Sequence, residues 1–210
     1  MSIAAGGVAA LYLALTIGAQ AVAGLGIGVA RAPAHATRVV FVGVRADQAD
    51  LGNAQLLAAV RRRHVTLIVD APTARRRRRL LAALAADGVD IANGGWGHTH
   101  WMRWRRAHDD CVRSAAEIAD DARVRVREFV PARSVDAFDQ FYCRVGRRHE
   151  RLVEPTAVLV PGRLARLRGR GIYVLNGCRY RPLAVAAALQ TLADEAGRSK
   201  LGVRSFVALR

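Results

Sequence analysis

Between Arg38 and Leu209 the chain alternates short apolar runs, rich in β-branched residues, with longer segments of helical periodicity. The runs are RVVFVGV (38–44), HVTLIVD (64–70), 89–92, 124–130, 156–160, 171–175 and 203–209. Continuous apolar runs of this length read as strands buried on both faces. Between them lie helical segments. Residues 50–63 place Leu51, Leu56, Leu57 and Val60 on one face. Pro72 and Thr73 open a helix running through 75–86, with Asp87-Gly88 as its stop. Residues 105–121, 135–145 and 182–196 complete the set. Strands that alternate with helices imply right-handed crossovers and a parallel sheet. The predicted class is therefore α/β. Seven strands are enough to curl into a barrel, and the pattern alone leaves barrel and open sheet both standing.

The stretch GVDIANGGWGHTHW (88–101) is a short strand running into a glycine-rich loop that carries His98 and His100. Loops at the carboxyl ends of strands are where α/β folds put their chemistry. This stretch resembles the second motif of the polysaccharide deacetylases, the NodB-homology or carbohydrate esterase family-four enzymes, whose two histidines there bind the catalytic metal. The matching positions are Asn93, Gly94, Gly95, Trp96, Gly97 and His98, so Gly94 stands where the first metal histidine would be. The run from Val60 to Asn93 and the tail from Pro182 to Leu209 follow the family's usual course. The resemblance covers most of 38–209. It implies a distorted (β/α) barrel of about seven parallel strands.

The family's functional positions are largely replaced. Its paired aspartates, a general base and a metal ligand, fall at Val44 and Arg45. An aliphatic side chain takes no proton, and a guanidinium binds no cation. Of the third motif Pro131 survives, followed by Ala132, Arg133 and Ser134. The catalytic histidine becomes Asn176, an amide that serves as no general acid. Of the inferred metal ligands only His98 remains, and a catalytic metal site needs about three protein ligands. No cofactor is therefore expected. A rearranged site built from Asp47, His98 and His100 would restore a zinc-like metal and an active carbohydrate N-deacetylase. Trp96, Trp101, Arg45, Pro131 and Arg133 would line the ligand cleft. The resemblance, with these losses, implies a silent relative of a carbon–nitrogen hydrolase that acts as a glycan-binding or scaffold module at the cell envelope. Its partner would be an envelope glycan or a glycan-processing protein.

Residues 1–30 carry no charged side chain, and the first charge is Arg31. About 20 apolar residues span a bilayer, so 1–30 is read as a membrane anchor or signal segment with an apolar helix. Residues 31–37 are a linker, and 38–210 the domain. Ala34-His35-Ala36 has the small-x-small form of a cleavage site, but no basic stretch precedes the apolar run. Arginines after the apolar run favour a cytoplasmic domain. The family resemblance implies the outer face, and long domains cross regardless of charge, so an extracytoplasmic domain is expected.

The formal charge is +16, nearly all of it arginine, with one solid run at 75–79. Such a balance points to composition or to a polyanion: anionic lipid, wall polymer or nucleic acid. No zinc-finger spacing, helix-turn-helix signature or RNA-binding aromatic motif accompanies it, so nucleic acid is not expected. Three dispersed cysteines are no disulfide framework; buried thiols are the default, and one bridge remains open without a choice of pair.

Overall fold

The computed structural model describes residues 13, 14, 17, 29–96, 103–132, 135, 137–145 and 150–209. Among these, nine strands form one sheet: β1 (Val29–Ala30), β2 (Val39–Arg45), β3 (Thr66–Val69), β4 (Ile91–Asn93), β5 (Glu128–Phe129), β6 (Arg151–Val153), β7 (Ala157–Leu159), β8 (Ile172–Asn176) and β9 (Gly202–Arg204). Eight follow the order β1-β6-β5-β4-β3-β2-β8-β7, and every pairing is parallel. The sheet is a curled half-barrel. β2 is its centre. Phe41 pairs with Ile172 of β8 on one edge and with Arg204 of β9 on the other. β9 takes the first half of that second edge and β3 the remainder, from Gly43 to Arg45.

The helices are α1 (Ala54–Arg63), α2 (Ala71–Arg76), α3 (Arg78–Ala86), α4 (Arg103–His108), α5 (Ser114–Ala122), α6 (Ala137–Val145) and α7 (Pro182–Arg198). Their starts follow local chemistry. Asn53 caps α1 by accepting from Leu56 N at 2.9 Å, and Asp70 caps α2 by accepting from Thr73 N at 2.8 Å. Proline sits in the first turn of α7, where a missing N–H is harmless.

Strand alternation divides the apolar residues between two cores. Val40, Val42 and Val44 face the helices with Leu56, Leu81, Ile118 and Leu189. Phe41, Ile68, Ala92, Val130, Val174 and Phe206 fill the interior of the curl. Phe206 closes the amino-terminal end of the curl like a stopper. A Cβ on Gly43 would lie 2.6 Å from its ring, so β2 needs glycine there. Polar groups hold the stopper in place. Phe206 N donates to Thr66 Oγ1 at 2.6 Å, and Thr66 donates to Asp90. Arg151 bonds both Leu209 O and the fully buried Glu128. Burial pushes the Glu128 carboxyl up, Asp90 adds to the push, and Arg151 opposes it.

Several elements differ from the sequence reading. The expected last strand ends at Arg204, because Ser205 turns the chain beneath the curl and 206–208 wind as a 3-10 turn. The expected strand 124–130 pairs only at Glu128–Phe129. The helix expected over 50–63 is a 3-10 turn, Asp50–Gly52, followed by α1. The helix expected over 75–86 breaks at Arg77, and that over 105–121 contains a π-helical turn at Asp109–Arg113. Arg75 to Arg79 are mostly exposed, with Arg75 paired to Glu117 and Arg76 bonded to Gln48. β1 and β6 were not foreseen; each is two or three residues, too short for periodicity to reveal. β1 lies at the end of the apolar segment 1–30 and pairs with β6. The rest of that segment falls almost wholly outside the described residues. Among the described residues no helix is long and apolar enough to cross a membrane.

Cys111 and Cys143 form a disulfide that joins the π-helical turn to α6, and Cys178 is free. The bridge closes a loop across a sequence separation of 32. Loop-closure entropy at that length corresponds to about 3–4 kcal/mol. Replacing both cysteines with serine should lower the thermal midpoint and the denaturant midpoint accordingly. Reductant should lower wild type to the level of that variant and leave the variant unmoved.

Candidate functional site

The carboxyl ends of the strands form the mouth of the curl. Alternation decides which side chains reach it. On β2, Val44 is fully buried against the helices, whereas Arg45 turns inward. On β8, Leu175 faces the helices and Asn176 turns inward, directly beside Arg45 in the strand register. Val44 thus does not face the mouth, whereas Arg45 and Asn176 do.

Arg45 crosses the mouth. Its Nη1 donates to Gly94 O at 3.0 Å and its Nη2 to Val130 O at 2.6 Å. A cation carried on β2 therefore joins the ends of β4 and β5. Burial works against its charge, while Cys178, Asp70 and Asp110 favour it. A guanidinium stays protonated through such shifts. Among the described residues no carboxylate lies within ion-pair distance of it. Gly94 makes room for it: a Cβ there would lie 2.9 Å from Arg45 Nη1 and 3.0 Å from Val69 O. The glycine at the first metal-histidine position and the arginine at a carboxylate position are therefore one steric unit.

Asp47 is used locally. Its Oδ1 accepts from Ala49 N at 2.8 Å and Asp50 N at 3.1 Å, while Asp50 Oδ2 accepts from Asp47 N at 3.0 Å. This reciprocal cap shapes the turn after β2. Asp50 is fully buried, and its Oδ1 has no hydrogen-bond partner. Burial raises its carboxyl above the ordinary range; the bond from Asp47 N opposes that, and the Asp47 charge adds to it. Gly177 N donates to Arg45 O, bringing the start of the β8 loop against this turn. Asn176 Oδ1 is buried without a partner. Burial pushes the Cys178 thiol up, and Arg45 partly offsets this.

Asn93 is a residue whose role sequence reasoning passed over. Its amide donates to Asp110 O at 2.8 Å and Glu150 Oε2 at 3.0 Å, and its Oδ1 accepts from Gly95 N and Ser114 Oγ. It orders the loop at the end of β4 instead of lining the mouth. The signal was present: an asparagine at a strand end before two glycines is a loop-ordering residue. Trp96 is half-buried; its backbone N–H donates to Asp110 Oδ1 at 2.8 Å, and Arg113 lies 4.5 Å above its ring. Pro131 is buried beside Val130. His98, His100, Trp101 and Arg133 lie outside the described residues.

The catalytic metal that the resemblance implies does not fit the described groups at the mouth. Where it would need carboxylate and imidazole, the mouth offers a guanidinium and a glycine. No cluster of three His, Cys, Asp or Glu able to hold a metal occurs among the described residues.

This curled parallel sheet is the NodB-like fold of the family-4 carbohydrate esterases. A family-4 pseudoenzyme from Bacillus anthracis superposes with a TM-score of 0.66 at 13% identity, covering 82% of this chain and 65% of that one. A mutant of that pseudoenzyme with restored enzymatic activity matches equally well. A family-4 carbohydrate esterase from Streptomyces lividans, solved with acetate, gives 0.65 at 15% identity, covering 80% and 92%. A further family-4 esterase from Bacillus anthracis gives 0.67 at 15%, covering 95% and 91%. The chain thus spans about two thirds of the pseudoenzyme's length and nine tenths of the esterases'. No protein-family model and no curated protein matches it.

Two outcomes follow from this geometry. Gly94→Ala should destabilise the protein by about 1–3 kcal/mol through overpacking. In an Arg45→Ala background the same change should cost less, since one of its two closest contacts is gone; denaturant melts of the four-member cycle measure the coupling. The second concerns pH. Because the folded pKa of Asp50 is raised, its penalty is absent below the unfolded pKa and fully present above the folded one. Asp50→Asn should therefore gain stability relative to wild type as pH rises from about 3 to 7, read from thermal midpoints across that range.

Proposed function

We propose that the chain is a catalytically silent member of the deacetylase fold, acting at the cell envelope as a glycan-binding or scaffold module. One observation carries this reading. The Arg45 guanidinium lies across the mouth between Gly94 O and Val130 O, on the ground that the metal chemistry of the fold would need. A fixed cation polarises groups near it, but it offers no open coordination position and activates no water. Asn176, at the position of the general acid, has no transferable proton near neutral pH. A cleft that retains its walls and lacks its reactive groups is suited to holding a sugar chain without cutting it.

The envelope assignment draws support from Cys111–Cys143, since disulfides persist in oxidising compartments. β1 lies upstream of Ala34-His35-Ala36, and Ala36 is buried in the interior core. Cleavage after Ala36 would remove a strand of the sheet and that packing residue, which favours an uncleaved anchor. Retention of 1–30 then joins the module to a membrane, with its partner an envelope glycan or a glycan-processing protein.

The purified protein should contain no stoichiometric zinc, cobalt or nickel and release no acetate from acetylated chito-oligosaccharides. It should still bind an acetylated glycan, measured by calorimetry. Metal-dependent acetate release that disappears in His98→Ala would overturn the silent reading in favour of an active N-deacetylase built around His98 and His100.

A further inference from the structure

All strand pairings are parallel, so the helix-to-strand connections open on one face, opposite the mouth. That face is basic. Residues 123–127 lead from α5 into β5; Val124 and Val126 are buried, and Arg123, Arg125 and Arg127 stand in solvent. Further round the rim, at the end of α1, Arg62 is exposed beside Arg61, which pairs with Asp87 at 2.7 Å. Below β2, backbone bonds from Arg170 N to Val39 O and from Gly202 N to Arg38 O gather the exposed Arg38, Arg170 and Lys200.

Most carboxylates of this face are occupied, although Glu154, beside Arg170, and Asp120, in the last turn of α5, are exposed. Asp87 holds Arg61, Asp90 accepts from Thr66 and Val207, Glu128 is buried against Arg151, Asp194 accepts from Gln190, and Glu195 holds Arg198 at 2.7 Å. At the mouth, by comparison, Asp70 and Asp110 lie near Arg45, Arg76 and Arg77 bond Gln48, and Arg113 lies over Trp96.

The second observation is where the chain enters. β1 starts at Val29 and runs parallel to β6, so its amino end lies towards the basic face. The preceding stretch carries no charged side chain. The sequence before β1 is thus apolar and uncharged, and β1 itself begins at the end where the exposed arginines are. We propose that the face opposite the mouth is a docking surface for an anionic lipid bilayer. The domain sits on headgroups through Arg123, Arg125, Arg127 and Arg62, and its mouth points away from the membrane. This surface is separate from the glycan reading, and loss of glycan binding would leave it untouched.

The test is equilibrium binding of the full chain to phosphatidylcholine vesicles with and without 30 mol% phosphatidylglycerol. The apolar stretch contributes to both, so the ratio isolates the basic face. Acidic vesicles should bind more tightly, and added salt should erase the difference. Each basic residue near such a surface is worth about five-fold, so Arg123→Gln, Arg125→Gln and Arg127→Gln together should lower the ratio about 100-fold. A second set, Arg62→Gln with Lys200→Gln, should lower it about 25-fold. Arg78→Gln, Arg79→Gln and Arg181→Gln, away from this face, should leave most of it, with all variants melting like wild type. Equal affinity for both vesicle types, or equal losses in the control set, would overturn the proposal. So would preferential binding to duplex DNA over acidic vesicles at the same salt.

Discussion

The mouth is organised by one cation that cannot leave. Arg45 rises from the central strand and donates to carbonyls at the ends of β4 and β5, so its single side chain links three strands at their carboxyl ends. A bound metal could do similar structural work, but it would do so through deprotonated ligands and in exchange with solvent. The guanidinium does it covalently attached, with two neutral carbonyls as acceptors. The surroundings match this: Asp70 and Asp110 are near enough to favour the charge, and neither is close enough to lock it in an ion pair. Removal of the arginine alone would leave two carbonyls at the rim without their donor, a cost typical of unpaired buried acceptors.

The opposite end is closed by a different device. Phe206 fills the curl under Gly43, and the ion pair of buried Glu128 with Arg151 reaches the Leu209 carbonyl. A buried pair of this kind is weak evidence for net stability. Its geometry gives it a positional role: it fixes where the chain end lies, and so fixes Phe206.

Much of this architecture was legible in the sequence, because buried parallel strands announce themselves as unbroken apolar runs. RVVFVGV and HVTLIVD, and the strand that leads to Asn93, gave β2, β3 and β4 to within a few residues. What failed was local. β1 and β6 are too short to carry a period, and β1 was hidden in a stretch whose apolar character had another explanation. The 124–130 stretch alternates Val with Arg like a strand, yet it finds a neighbour only at its end. The site was half legible. That Gly94 and Arg45 can ligate no metal could be read from residue type alone. Their mutual dependence could not, because it rests on a distance across 49 positions of sequence.

The two replacements also constrain the order in which such a mouth can change. A histidine at position 94 requires a Cβ that meets Arg45 Nη1 at 2.9 Å, so the guanidinium must shift from its place between Gly94 O and Val130 O to admit it. An aspartate at 45 with glycine at 94 leaves a negative mouth, with Asp70 and Asp110 nearby and no cation among them. The mouth therefore has two self-consistent electrostatic solutions, each placing one positive centre among the same surrounding acids. This chain carries the second, in which the positive centre belongs to the fold itself and is covalently fixed.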